Sequence, residues 1–261
     1  MGVWDHWLWL LGSLVLAVVV AQVTWWLEQS DDRPEWADRV LAWPHTPLLS
    51  LFLRFLFYVG VPFAALTLGS GDIVVGRWMG LQRLVTLRTL FGEPVSAAEI
   101  VASRADWIRD LGWTMGLGGA SWAMMALGWR LSRSTSGGLP AVEQGASYRW
   151  PFLEAIFHEV HWAFYRNVPI VALVLYGDVP NGVYWGAWAG LALVILEMAL
   201  DPRWTSDTTA PERAPRALTR AGLAVLSVVL FLQTQNLWLA ILVHWAVTWG
   251  LEKVWGTAST A

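Results

Sequence analysis

Apolar residues run in long blocks separated by shorter polar stretches, and most of the blocks approach the roughly 20 residues a helix needs to cross a bilayer. The first block runs from Trp7 to Leu27, the second from about Thr46 to Leu68 and the third from about Asp106 to Leu131. A fourth extends from Pro151 to about Tyr176, a fifth from Val183 to Leu200, and the last two, Ala221 to Leu232 and Leu237 to Trp255, flank the short polar turn QTQN. This pattern predicts an all-α polytopic transmembrane bundle of about 6–7 spans, folded as a single integral-membrane domain over residues 1–261. The first block has no Lys or Arg before it and ends in TWWLEQ rather than in a small-residue cleavage site, so it is expected to be retained as a helix.

The connecting stretches refine this layout. Glu28 to Pro44 carries mixed charge, with Trp25, Trp26, Trp36 and Trp43 in or beside it, as a segment lying along the membrane interface would. Ser70 to Pro94 combines glycines with Arg77, Arg83 and Arg88 and reads as interfacial and amphipathic. Flexible loops are expected at about 132–147, rich in Gly and Ser, and at about 202–218, which holds Pro211 and Pro215. Arg54, near one end of the second block, is expected to snorkel to the headgroups, the alternative being an inward carboxylate partner. In the third block, GLGGAS at Gly116 to Ser121 is expected to let a neighbouring helix approach closely.

Composition narrows the function classes. Of 261 residues, 56% are hydrophobic and 14% charged, with 21 tryptophans and a mean hydropathy of +0.46, which places the chain with membrane proteins. The net charge of −3 and the lack of any Lys/Arg tract speak against nucleic acid as a partner. Without cysteine there is no disulfide framework, thiol nucleophile or Cys-ligated metal. The expected partner is therefore the lipid bilayer.

Candidate chemistry concentrates in PFLEAIFHEVHWAFYRN, Pro151 to Asn167. At about 100° per residue, Glu154, His158, His161 and Tyr165 form one stripe of a helix, while Glu159 and Arg166 fall on a different face. Ionisable side chains are costly inside a membrane and usually face a bundle interior or a water-filled cavity, which makes the stripe the default site. Packing offers the competing explanation, with the histidines hydrogen-bonded to neighbouring helices. Two further groups stand on later helices: Glu197, one turn before Asp201, and His244, one turn before Thr248.

LFLQTQNLWLAILVHWAVTW, Leu230 to Trp249, resembles the final motif of the CPBP intramembrane protease family, which includes the CAAX prenyl proteases and Abi-like proteins. There a polar turn and an apolar run lead to a His followed four residues later by a small polar residue, positions held here by His244 and Thr248. AFYRN, Ala163 to Asn167, is similar to the end of the family's first motif, EExxxR, with Arg166 as its arginine. The two glutamates of that motif would fall at His161 and Trp162, and the histidine of the second motif, FxxxH, has no counterpart in Val183 to Leu200, which carries Glu197 instead. The resemblance thus implies a divergent intramembrane endopeptidase in a bacterial cell membrane, with histidine and glutamate exchanged. It would hydrolyse a membrane-associated or lipidated peptide through a water activated by Glu197, or by Glu154. His161 and His244 would position the water or stabilise the oxyanion, and Thr248 would orient His244.

Two other readings use the same residues. Glu154, His158 and His161 at i, i+4 and i+7, joined by His244, have the ligand types zinc accepts, although the local spacing is HExH and not the HExxH of zincins. Alternatively, a chain that kept the fold and lost proteolysis would use its cavity to bind a lipid or a partner helix. The indole of Trp162 beside His161 favours this, since it narrows the space for a substrate carbonyl.

Overall fold

The computed structural model describes residues 4–30, 35, 38–39, 47–68, 78–82, 96–135, 150–210 and 213–257. Among these every regular element is helical. The principal helices are α1 (Trp4–Gln29), α2 (Pro47–Phe55, a π-helical stretch Leu56–Gly60, then Val61–Leu68), α3 (Ala97–Thr135), α4 (Pro151–Val171, continued by a π-helical stretch Ala172–Tyr176), α5 (Gly182–Leu200), α6 (Pro202–Thr209), α7 (Ala214–Thr234) and α8 (Leu237–Thr257). Four of them contain segments long and apolar enough to cross a membrane: Trp7–Gln29, Leu48–Ala65, Gly182–Leu200 and Ala214–Thr234. Their exposed Leu, Val, Phe and Trp side chains suit a lipid surround and not water.

Helix α4 is the central pillar. Pro151 occupies its first turn, where a missing N–H costs nothing, and every residue from His161 to Val171 is buried. A helix covered all round needs neighbours on all sides, and α5 comes closest. Gly182, Gly186 and Gly190 recur every four residues along one face of α5. A Cβ on Gly186 would lie 2.6 Å from the Cα of Ile170, and one on Gly190 would lie 2.4 Å from the Cα of Arg166. The two backbones therefore touch along an antiparallel seam, as small residues permit in membranes. Of the glycines in GLGGAS only Gly118 meets another helix, a Cβ there lying 3.2 Å from the Val243 side chain, whereas Gly116 and Gly119 face open space. The close-approach device expected in the third block belongs mainly to the fifth.

Side-chain pairs fix the remaining directions. Arg54 with Glu154 and Tyr58 with His158 set α2 parallel to α4. Gln22 Nε2 donates to the Leu200 carbonyl at 2.9 Å, and Arg203 Nη2 meets Glu28 Oε1 at 2.7 Å, so α1 runs alongside α5. Gly118 against Val243, Trp122 against Gly250 and Met125 against Gly222 set α3 parallel to α8 and antiparallel to α7. The N-termini of α4 and α7 and the C-terminus of α8 meet at one end of the bundle, called the proximal end below.

Several expectations need correction. Arg54 does not snorkel; its guanidinium grips both oxygens of Glu154. Most of 202–218 is helical, because Asp201 caps α6 by accepting from the Arg203 N–H at 3.0 Å and Pro215 sits in the first turn of α7. The loop near 132–147 begins later than expected, since α3 continues to Thr135; positions 136–147 lie outside the described residues, as do Arg77, Arg83 and Arg88.

The QTQN turn is more than a hairpin. Gln235 adopts φ +47°, and Asn236 Oδ1 caps α8 by accepting from the N–H groups of Trp238 and Leu239 at 3.1 and 3.3 Å. Gly80, at φ +84°, accepts from the Leu237 N–H at 2.8 Å. Gln82 links the Asn236 side chain to the fully buried Asp110 of α3.

Candidate functional site

The polar residues of α4 separate into two clusters. On one side His161 Nε2 donates to Glu197 Oε2 of α5 at 2.9 Å, and Phe57 and Tyr58 of α2 pack on the His161 ring at 5.2 and 5.1 Å between centroids. Tyr165 lies one turn further along, 4.3 Å from the same ring. This cluster brings together His161 and Glu197 as the sequence suggested, but His244 is not part of it.

On the other side, His244 of α8 pairs with Glu159. Its Nδ1 donates to Glu159 Oε1 at 3.0 Å, and Ser227 of α7 donates to Glu159 Oε2 at 2.6 Å. Arg166 Nη1 reaches the Ser227 hydroxyl at 3.4 Å, with its guanidinium carbon 4.1 Å from the Phe231 ring centroid. Arg166, Ser227, Glu159 and His244 therefore form a continuous chain, with Glu159 only 1% exposed. A buried carboxylate is tolerated only when paired and hydrogen-bonded, and both of its oxygens are engaged here. Arg166 itself is buried. Glu159, which lies off the Glu154–His158–His161 stripe, is the carboxylate that meets His244.

A partly open cavity lies at the proximal end, lined by residues of α4, α7 and α8 that include Glu154, His158, Arg216, Arg220, His244 and Thr248. It leaves about 40 Å³ open to the centres of water molecules, room for about three waters. His158 Nδ1 donates to the Glu154 carbonyl at 2.9 Å, so an acceptor holds Nδ1–H in both His158 and His244. In neutral imidazoles this leaves Nε2 as the acceptor nitrogen. The two rings stack at 5.6 Å and 18°, and Trp162 lies against the other neighbour, 5.3 Å from His244 at 26°. Thr248 Oγ1 is buried with no hydrogen-bond partner, so it does not orient His244; Glu159 does.

The four proposed zinc ligands are not brought together. Glu154 is taken by Arg54, His161 faces Glu197, and His158 and His244 spend their Nδ1 atoms on separate acceptors. Among the described residues no group of three or more His, Cys, Asp and Glu side chains is arranged to hold a metal ion.

No protein-family model matches the chain, and neither does any curated protein or solved structure.

Proposed function

We propose that the chain is a divergent CPBP-like intramembrane endopeptidase of a bacterial cell membrane, in which the Glu159–His244 pair replaces Glu197 as the water-activating device. The hydrogen bond from His244 Nδ1 to Glu159 carries this reading. It holds the ring with Nε2 as the basic nitrogen at a cavity large enough for water and too small for a folded segment. His244 Nε2 takes a proton from that water as its oxygen adds to a peptide carbonyl, then returns the proton to the leaving amine. Thr248 Oγ1, lacking an internal partner, supplies a donor for the oxyanion. Glu159 touches no substrate; it orients His244 and stabilises the imidazolium, while Ser227 and Arg166 hold Glu159.

Sequential helices alternate in direction, so a bundle in which α1 to α5, α7 and α8 each cross would have seven spans. Among the described residues, Arg39, Arg130, Arg203, Arg213, Arg216, Arg220 and Lys253 would then fall at the proximal end. Arg104 and Arg109 would fall at the opposite end. This excess supports a cytoplasmic proximal end.

Cleavage of a membrane-associated peptide by the purified protein tests the reading. His244→Ala should lower kcat by about 10²–10⁴-fold, and Glu159→Gln should lower kcat with little change in KM while altering the pH profile. Glu197→Gln should retain most turnover; its loss, with Glu159→Gln active, would return the base to the other cluster. Trp162, stacked on His244, favours a second reading in which the cavity binds without hydrolysing. Full-length folded protein that cleaves no membrane peptide would support it.

A further inference from the structure

The His161–Glu197 pair takes no part in water activation at His244, yet it sets an ionisable couple among apolar helices, where such groups mark ion sites and proton relays. His161 Nε2 occupies one carboxylate oxygen of Glu197 at 2.9 Å. The other ring nitrogen, Nδ1, is buried and has no hydrogen-bond partner. A doubly protonated ring would bury that second N–H without an acceptor, so the ring is held neutral and the charge of Glu197 is left uncancelled. Arg220 also acts on Glu197, more weakly than Tyr165 does.

Two hydroxyls complete the setting. Tyr165 Oη lies beside both Glu197 and Ser13 of α1, and neither the Tyr165 nor the Ser13 hydroxyl, both buried, makes an aligned hydrogen bond. Ser13 belongs to the apolar segment Trp7–Gln29 and Glu197 to Gly182–Leu200. Three helices, α1, α4 and α5, therefore each bring one oxygen-bearing side chain to a common place within the bundle. Carboxylate and hydroxyl oxygens are hard donors, suited to alkali and alkaline-earth cations and not to zinc. One carboxylate balances one positive charge, whereas Ca²⁺ takes about six to eight oxygens, commonly from several carboxylates. Contact between the α4 and α5 backbones at Gly190 keeps the place narrow, which favours a small ion.

We propose that Glu197, Tyr165 and Ser13 form a sodium site inside the bundle, with His161 holding the Glu197 carboxylate in place. The ion ties α1 to α4 and α5 and offsets a buried negative charge. None of these residues lines the proximal cavity, and the site does not depend on hydrolysis.

The test is thermal unfolding of the full chain in neutral detergent, prepared free of alkali cations and titrated with sodium or potassium chloride against choline chloride at constant ionic strength. Sodium should raise the midpoint saturably, and potassium less. Ser13→Ala and Tyr165→Phe, which each remove one oxygen, should raise the sodium concentration for half-maximal shift about 2–10-fold. Glu197→Gln should abolish the shift; if that variant fails to fold, the two hydroxyl variants keep the test decisive. A midpoint that does not respond to sodium would mean that a proton neutralises Glu197, and would overturn the site. A potassium shift equal to that of sodium would overturn it as well, as would a half-maximal concentration unchanged in both hydroxyl variants, which would place the ion elsewhere.

Discussion

Replacing Gly190 by alanine tests the seam on which the whole arrangement depends. The new methyl would sit 2.4 Å from the Cα of Arg166 and 2.9 Å from its Cβ. Carbon atoms are comfortable at about 3.5–4.0 Å, and the obstructing atoms include backbone, so α4 and α5 must part by about 1 Å. His161 and Glu197, joined at 2.9 Å, would then separate beyond hydrogen-bond range. Overpacking of this kind costs about 1–3 kcal/mol. At roughly 2–4 °C per kcal/mol for chains of this size, the unfolding midpoint should fall by about 2–12 °C. Gly119→Ala is the matched control: no atom lies within 4 Å of its added Cβ, and alanine is favoured over glycine within a helix by about 0.8–1.0 kcal/mol. Its midpoint should hold or rise. The 21 tryptophans allow intrinsic fluorescence to follow unfolding, whereas a chain with no cysteine offers nothing to thiol-reactive dyes. If Gly190→Ala proves as harmless as Gly119→Ala, backbone contact does not join the two helices.

Two further substitutions probe the ends of the bundle. Arg54→Gln leaves Glu154, a buried acid, without its cation and should cost about 1–3 kcal/mol, read as a lower unfolding midpoint that Glu154→Gln in the same chain partly restores. Asn236→Ala removes the cap of α8 and the link to Gln82 and should cost about 0.5–2 kcal/mol, with hydrogen exchange rising first at Trp238 and Leu239; protection unchanged there would show that the cap contributes little.

Long apolar blocks made the helices legible because a bilayer imposes a minimum length, and no neighbour is needed to recognise it. Their ends were less legible. The start of α7 is polar and follows two prolines, Pro211 and Pro215, which reads as a loop, yet Arg216 and Arg220 stand on a helical face that borders a cavity. Within the site, the helical wheel grouped Glu154, His158 and His161 correctly as near neighbours on one helix. It could not show that α2, α5 and α8 approach from different sides and claim one each: Arg54 takes Glu154, Glu197 takes His161, and His158 is left beside His244. A wheel ranks residues by company on their own helix, whereas the partners of Glu159, Ser227 and His244, come from two others. Gly182, Gly186 and Gly190 did carry a readable signal, a four-residue spacing of small residues, and the clustered glycines of α3 drew attention away from it.

The π-helical stretch Leu56–Gly60 gives α2 a property that no uniform helix has. Such a turn is what an inserted residue becomes when a helix absorbs it instead of breaking. Consecutive residues Phe57 and Tyr58 both reach the His161 ring, and the angular phase before the stretch does not continue after it. The two halves of α2 accordingly obey separate wheels, and a periodicity read straight across them blends two faces into one. Deleting a single residue between Leu56 and Gly60 would let the helix tighten into a regular α-turn while Val61–Leu68 keeps its facing, so that Ala65, now buried, stays against the bundle and Arg54 stays where it is.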